Sequence, residues 1–377
     1  AAFETFFGIN YFVGAILGFG IVVFYILFGG FVAVAWSDLF QGIMMLLGLV
    51  ALPITAYFSL TSFGKSQSLF AGLETINPSL ISIWGEGGFS LFNLMGIIGF
   101  LMIGIGFLGS PQIFVRFMSI KNEDEINKGR WVAIAFTILT DTAAVFAGMI
   151  GRYLLSSKTD SAIEIFGNGA QNVLPLLVET IMPSIFIAIY IAVILSAIMS
   201  TIDSLLVVSS SAITRDIYQQ IINPKISTKK MTSLSRNITL VLAIIALVIS
   251  FTVASLNPTR TVFWFVIFGW SGISACFCPM MILSLFWKNY NEKGALASMI
   301  SGFASVPFFK FVAPTFAISG PYFEQLSELP PAFMVSLICG ILVSKLTKDK
   351  TNSDSSYTIN TLIDNSLVND KKLVNSN

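Results

Sequence analysis

Four hydroxyls and one carboxylate fall within the nine residues Ser196 to Ser204, SAIMSTIDS, inside an otherwise apolar stretch from Pro183 to Val208. Polar groups at bilayer depth are expensive, and they mark pathways or binding sites. At helical spacing Ala197, Ser200, Thr201 and Ser204 stand at i, i+3, i+4 and i+7, which lines small residues and oxygens along one stripe. Such a stripe can hold a desolvated hard cation such as sodium, because hydroxyls and freed backbone carbonyls supply several oxygens at little cost in buried charge. The alternative is that each hydroxyl bonds to its own i−4 carbonyl or to a neighbouring helix. Asp203 inside the same run favours a site.

Two further carboxylates lie within apolar runs, Asp38 and Asp141. Asp38 lies eight residues beyond Gly30, about 12 Å along a helix. Ser204 lies eleven residues before Arg215, about 16 Å. The two reach similar depth, so Asp38 is expected to face the Ser200 to Ser204 stripe and give a cation site its formal negative charge. The competing reading makes Asp38 the N-terminal cap of its own span. Asp141 in TILTDTAAVFAG pairs with a polar group on another helix or faces a water-filled cavity; Arg152, three turns on, is too far for a direct pair.

These residues need membrane helices to position them. At 377 residues, with 55% hydrophobic and 11% charged, the chain is a polytopic membrane protein. Runs long enough to cross a hydrocarbon core of about 30 Å predict nine helices. They lie near 11–29, 38–60, 90–110, 132–154, 184–208, 237–256, 261–286, 294–313 and 332–346. With alternate loops taken as inside, that set holds 16 of the 21 basic residues, Arg116, Arg215 and Lys345 among them. The C-terminus is therefore expected in the cytoplasm and residue 1 outside. The Asn, Ser, Asp and Lys-rich tail, 347–377, is expected to be disordered. Basic residues that follow topology form no nucleic-acid-binding face.

Cys276, Cys278 and Cys339 all fall in predicted spans, which argues against a disulfide frame or a metal site. The absence of histidine removes His-ligated zinc, bis-His haem and His acid–base catalysis. The third span, GIIGFLMIGIGFLGSPQIF, ends in glycines followed by Ser110-Pro111, and the seventh contains GWSGISACFCP. Glycine allows close packing, and proline frees a carbonyl one turn back, so both spans are read as interrupted beside a midplane site, with simple tight helix packing as the alternative.

With these residues in view, the chain resembles the sodium:solute symporter family, most of all its sodium/proline branch. The likeness runs from Glu4 to about Lys345, through GGFVAVAWSDLFQG (29–42), GSPQIFVRF (109–117), SAIMSTIDSLLVVSSSAITRDIY (196–218) and GWSGISACFCPMMILSLFWKNYNEKGALASMISG (269–302). The resemblance implies an all-α, inverted-repeat fold of the leucine-transporter type, ten core helices in two repeats of five with peripheral helices outside. The nine spans would be core helices four to ten and two peripheral ones, within a transporter domain over 1–346. The family's first sodium site maps onto Ala197, Ser200 and Thr201, and a second, found in some members, onto Asp38, Ser200, Asp203 and Ser204. Asp203 stands where other members often carry Ser, which leaves a second ion or a proton open.

Core helices one to three have no counterpart here, so the chain is expected to be the C-terminal portion of a longer transporter, inactive alone. The resemblance implies sodium-coupled import of a small organic solute across the cell membrane, with Na+ as coupling ion and no enzymatic activity. Gate or solute-binding positions map onto Ile103, Phe107 and Pro111. A Trp and a Tyr would be expected at the first two in proline carriers; Phe107 keeps the ring and Ile103 does not. Proline is the first solute, pantothenate or another carboxylate the alternative, and a transporter-like sensor module a further one.

Overall fold

A computed structural model describes residues 8–256 and 262–347 of the chain. The tail expected to be disordered lies, apart from Thr347, outside the described residues. All the regular elements among the described residues are helical.

The first helix, α1, runs Tyr11–Ser59, 49 residues that would measure about 73 Å if straight, more than twice the hydrocarbon core. It is not straight. Gly30 has φ 58° and ψ −154°, a left-handed conformation closed to residues with a Cβ. Tyr25 and Gln41, about 24 Å apart along an unbroken helix, lie side chain to side chain. The chain therefore doubles back at Gly30, and the predicted spans 11–29 and 38–60 are the two limbs of one hairpin. The second limb resumes helical geometry at Phe31, seven residues before Asp38. Asp38 thus sits inside a helix and caps nothing, so the capping alternative fails.

The following helices are α2 (Leu91–Ile105), α3 (Pro111–Met118), α4 (Glu123–Leu155), α5 (Ser184–Ser211), α6 (Thr228–Leu256), α7 (Val262–Phe286), α8 (Glu292–Pro307) and α9 (Leu329–Leu346). Short helices connect several of them, and α5 continues as a π-helix over Ala212–Ile222. Among the described residues eight helices are long and apolar enough to cross a membrane, α1 counting as one and α2 with α3 as another. Resolving the hairpin into its limbs restores the nine expected crossings. α4 begins nine residues before the predicted span, because the Asn122 side chain accepts from Glu125 N–H at 3.0 Å and Glu123, Asp124 and Glu125 complement the dipole of the first turn. Hydropathy locates a crossing; capping decides where the helix starts.

Packing divides the chain into two units. The first takes in residues up to Ile103 and Ser110–Trp270. In it the α1 hairpin packs on α4, α5 and α6. One apolar cluster joins Leu52 and Ala56 of the second limb to Ala147, Ile150 and Tyr153 of α4 and Tyr190 of α5. Another joins Val22, Val23, Ile26 and Val34, on both sides of the reversal, to Leu206 and Ala243. Large side chains such as Phe24, Phe28, Trp36 and Phe40 are exposed.

The second unit comprises Gly104–Gly109 and the chain from Ser271 onward. α8 and α9 meet along small residues: Ser298 and Ser336 exchange hydroxyl-to-carbonyl hydrogen bonds of 3.1 and 2.8 Å, and Gly294 lies against Ser344. Pro279 lies inside α7, which runs unbroken through the GWSGISACFCP segment, so the interruption expected there does not occur. Proline leaves the Ala275 carbonyl without its helical donor, and Gly302 of α8 packs directly onto that carbonyl. Gly302→Val would drive a branched side chain into backbone and should destabilise the chain by about 2–3 kcal/mol. Thermal unfolding in detergent is expected to fall by several degrees for Gly302→Val and to stay unchanged for Phe303→Leu at the exposed neighbouring position.

Candidate functional site

The α5 stripe forms as one helix from Ser184 to Ser211, with Pro183 preceding its first turn. Ser200 and Thr201 both donate to the Ala197 carbonyl, at 3.1 and 3.2 Å, and Ser204 donates to the Ser200 carbonyl at 2.7 Å. The three candidate first-site residues therefore bring their oxygens together around one carbonyl. The hydroxyls use the i−3 and i−4 bonds that the sequence left as an alternative. Thr201 is exposed, whereas Asp203, about 200° further round the helix, is 0% exposed.

Asp203 accepts from the Tyr25 phenol at 2.6 Å, a contact from the first limb of α1. Its other oxygen lies 3.2 Å from the Ser204 hydroxyl. Asp38, on the second limb, forms an ion pair with Arg116 of α3. The same guanidinium nitrogen donates to the Ser204 hydroxyl at 2.6 Å. Asp38, Asp203 and Ser204 thus gather in one network, through two residues that sequence reasoning did not assign to it. Arg116 was placed with the loop residues because it closes a span; it is in fact the last-turn cation of α3, helical to Met118. Its signal was available: a lone arginine in the apolar run QIFVRFM, a turn after a helix-opening proline. Tyr25 carried no such signal, since a Tyr in an apolar span reads as packing.

Beside the network lies a cavity of about 500 Å³ lined by Asp38, Gln112, Arg116, Ser119 and Ser204 with apolar neighbours such as Val34 and Val207. Two buried oxygens of its lining, Asp38 Oδ1 and Gln112 Oε1, have no hydrogen-bond partner. Buried oxygens of this kind call for water or a cation.

Asp141 is exposed on α4 and stands apart from this network. The α2 segment breaks as expected: the α-helix ends at Ile105, a 3₁₀ turn covers Gly106–Gly109, and Pro111 opens α3. In the first unit the Ile103 carbonyl accepts from the Trp270 indole at 3.1 Å. In the second unit the Cys278 thiol donates to the Ile105 carbonyl at 3.3 Å, and Gly109 packs on the Cys278 backbone. Those two side chains meet carbonyls at the end of α2, a use for the cysteine that its spacing did not reveal. Phe107 is half exposed in the turn and Pro111 is partly buried.

Comparison with known proteins adds relatives and a fold. The model of the sodium:solute symporter family matches residues 1–302. The osmoregulated proline transporter OpuE of Bacillus subtilis is 35% identical over 92% of this chain and 65% of its own length. The high-affinity proline transporter PutP of the same organism is 32% identical over 92% and 68%. A sodium/proline symporter of Staphylococcus aureus is 33% identical over 92% and 64%. The chain spans about two thirds of the length of these curated relatives. A solved structure of a Na+-coupled sialic acid symporter, substrate-bound and outward-open, matches with a TM-score of 0.64 at 19% identity, covering 92% of this chain and 69% of that one. That likeness is one of fold, and it is the leucinetransporter-type bundle that the motifs implied.

Proposed function

Because this chain belongs to the sodium:solute symporter family and is a multi-pass membrane protein, we propose that it supplies ion- and solute-binding helices of a sodium-coupled symporter for a small organic solute, an amino acid of the proline type. The observation that carries the reading is the convergence of the Ala197 carbonyl with the Ser200 and Thr201 hydroxyls on one turn of α5. These are the oxygens of a first sodium site. Asp38, Ser200, Asp203 and Ser204 would make up a second cation seat one turn further on.

Sodium occupying the first site favours one packing of α5 against its neighbours, and release to the other side removes that preference. Each sodium moving down 100 mV contributes about 2.3 kcal/mol before any concentration gradient is added. The broken segment from Ile103 through Phe107 to Pro111 is the part that meets solute and gates it. Basic residues concentrate on the side of Arg116, Arg215 and Lys345, which orients the C-terminus to the cytoplasm. Residues 1–346 form the transporter domain in this reading.

The lost ring at Ile103 favours a second solute reading, pantothenate or another small carboxylate. Uptake of labelled proline into proteoliposomes holding the full-length transporter tests both. Sodium is expected to stimulate uptake at least tenfold, with unlabelled proline competing and pantothenate not. Competition by pantothenate alone would move the assignment to the second solute, and sodium-independent uptake would refute coupling.

A further inference from the structure

The first unit holds another cavity, of about 380 Å³, that the ion and solute positions do not use. It lies beside the reversal of α1, between the π-helical end of α5 and the start of α6. Hydroxyls tie the last two segments together there. Ser210 donates to the Ser235 carbonyl at 3.1 Å, Thr239 donates to the Ser210 hydroxyl at 2.8 Å, and Thr214 donates to the Ser210 carbonyl at 2.7 Å. Ser210, Thr214 and Thr239 are buried and belong to the cavity wall.

The charged side chains of the wall are Arg215 and Arg236, both cationic. Neither makes an ion pair among the described residues. Asp216, next to Arg215 in the chain, is exposed and is not part of the wall. Two positive charges on one cavity with no acid between them set up a potential that an anion relieves. Guanidinium forks match the oxygens of phosphate, and the Gln219 amide and the hydroxyls add donors from other sides. A tetrahedral anion uses donors arranged in this way better than a planar carboxylate does. The first turn of α6 borders the same space, and a helix N-terminus adds to the attraction. Thr214, Arg215 and Gln219 are presented by the π-helix, a winding that is rare and concentrated at functional sites.

Another part of the wall is apolar, with Ile26, Phe28 and Phe31, and the last two are exposed. An apolar flank beside a cationic pocket between spans suits a lipid whose phosphate enters the pocket. We propose that this cavity binds a phosphate group on Arg215 and Arg236, with Gln219 and the wall hydroxyls as further donors, the group being carried by an anionic phospholipid or by free phosphate. Bound there, it joins the α1 reversal, the end of α5 and the start of α6 at one point, on the side that the orientation above makes cytoplasmic.

Two binding measurements on the purified chain test this, with size-exclusion profile and thermal unfolding as folding controls. One uses radiolabelled phosphatidylglycerol in mixed micelles with excess phosphatidylcholine, the other radiolabelled inorganic phosphate. At least one of them is expected to bind at about one per chain, as a single cavity requires. Arg215→Gln with Arg236→Gln should weaken that binding about tenfold or more, since it removes both charged donors. Lys229→Gln with Lys230→Gln, basic neighbours outside the wall, should weaken it less than about twofold. Binding of phosphatidylglycerol alone makes the source a headgroup, binding of inorganic phosphate alone makes it the free anion, and binding of both admits either. Binding of neither, or equal weakening by the arginine and lysine pairs, overturns the proposal, because a diffuse basic surface does not distinguish them. Should the arginine pair not fold, Gln219→Glu decides, since it sets a carboxylate in the wall. The proposal requires a loss of about tenfold there, and unchanged binding overturns it.

Discussion

Lys310→Met is expected to destabilise the second unit more than any other single exchange considered, by about 3–5 kcal/mol. Glu328, at the start of α9, is 1% exposed, and its carboxylate takes Lys310 at 3.2 Å, the Ser327 hydroxyl at 2.9 Å and the Ser271 hydroxyl at 3.3 Å. Lys310 lies in the π-helix Phe308–Val312 and is 27% exposed. Removing the ammonium strands a carboxylate in a place where water does not reach, and two hydroxyls cannot replace a full charge. Thermal unfolding in detergent should drop sharply for Lys310→Met. The double variant Lys310→Met, Glu328→Gln should recover most of the loss, because an amide remains that Ser271 and Ser327 can still meet. Equal damage from the single and the double variant would show that the pair contributes through packing, not charge.

The second large effect falls on ion coupling. Ser200→Ala with Thr201→Ala removes both hydroxyls that surround the Ala197 carbonyl and leaves the helix otherwise intact, since among the described residues these hydroxyls bond within α5. A hydrogen-bond-strength contact to an ion is worth about 1.5–3 kcal/mol, so losing even one raises the sodium half-saturation about tenfold or more. In uptake assays of the full-length transporter at graded sodium, the curve should shift right by at least that factor. The solute half-saturation at saturating sodium should change far less. An unshifted sodium curve would remove α5 from the ion site.

Much of the bundle was legible because the bilayer constrains sequence so strongly. Long apolar runs had to be helices, and oxygens within them had to have a purpose. The Gly29-Gly30 pair marked the reversal, and Gly106 to Pro111 marked the break, since both rest on local backbone chemistry. Prediction failed where a neighbour supplied the answer. The seventh span keeps its helix through Pro279, and Gly302 of α8 packs on the carbonyl that the proline frees. Arg116 was read as part of a cytoplasmic flank, because periodicity cannot tell a terminal arginine that points to water from one claimed by a carboxylate on another helix. Glu328 lay in a short polar stretch between two spans, SELPP, where a buried acid looks like any loop residue. Asp141 was the weakest site candidate of the three span carboxylates, open between a partner on another helix and a cavity, and it is exposed; the cost of a charge says that something must meet it, not what.

From Tyr25 to Gln41 the chain must climb, turn and descend so that Tyr25 reaches Asp203 while Asp38 reaches Arg116. Inserting a single residue on either limb rotates everything beyond it by about 100°, and deleting one rotates it the other way. Substitutions along this stretch change one contact at a time; changes in its length misalign both carboxylate pairings together. The count of residues between Tyr25 and Asp38 is therefore itself a determinant of the site, and length variation among functional descendants should be confined to connections elsewhere.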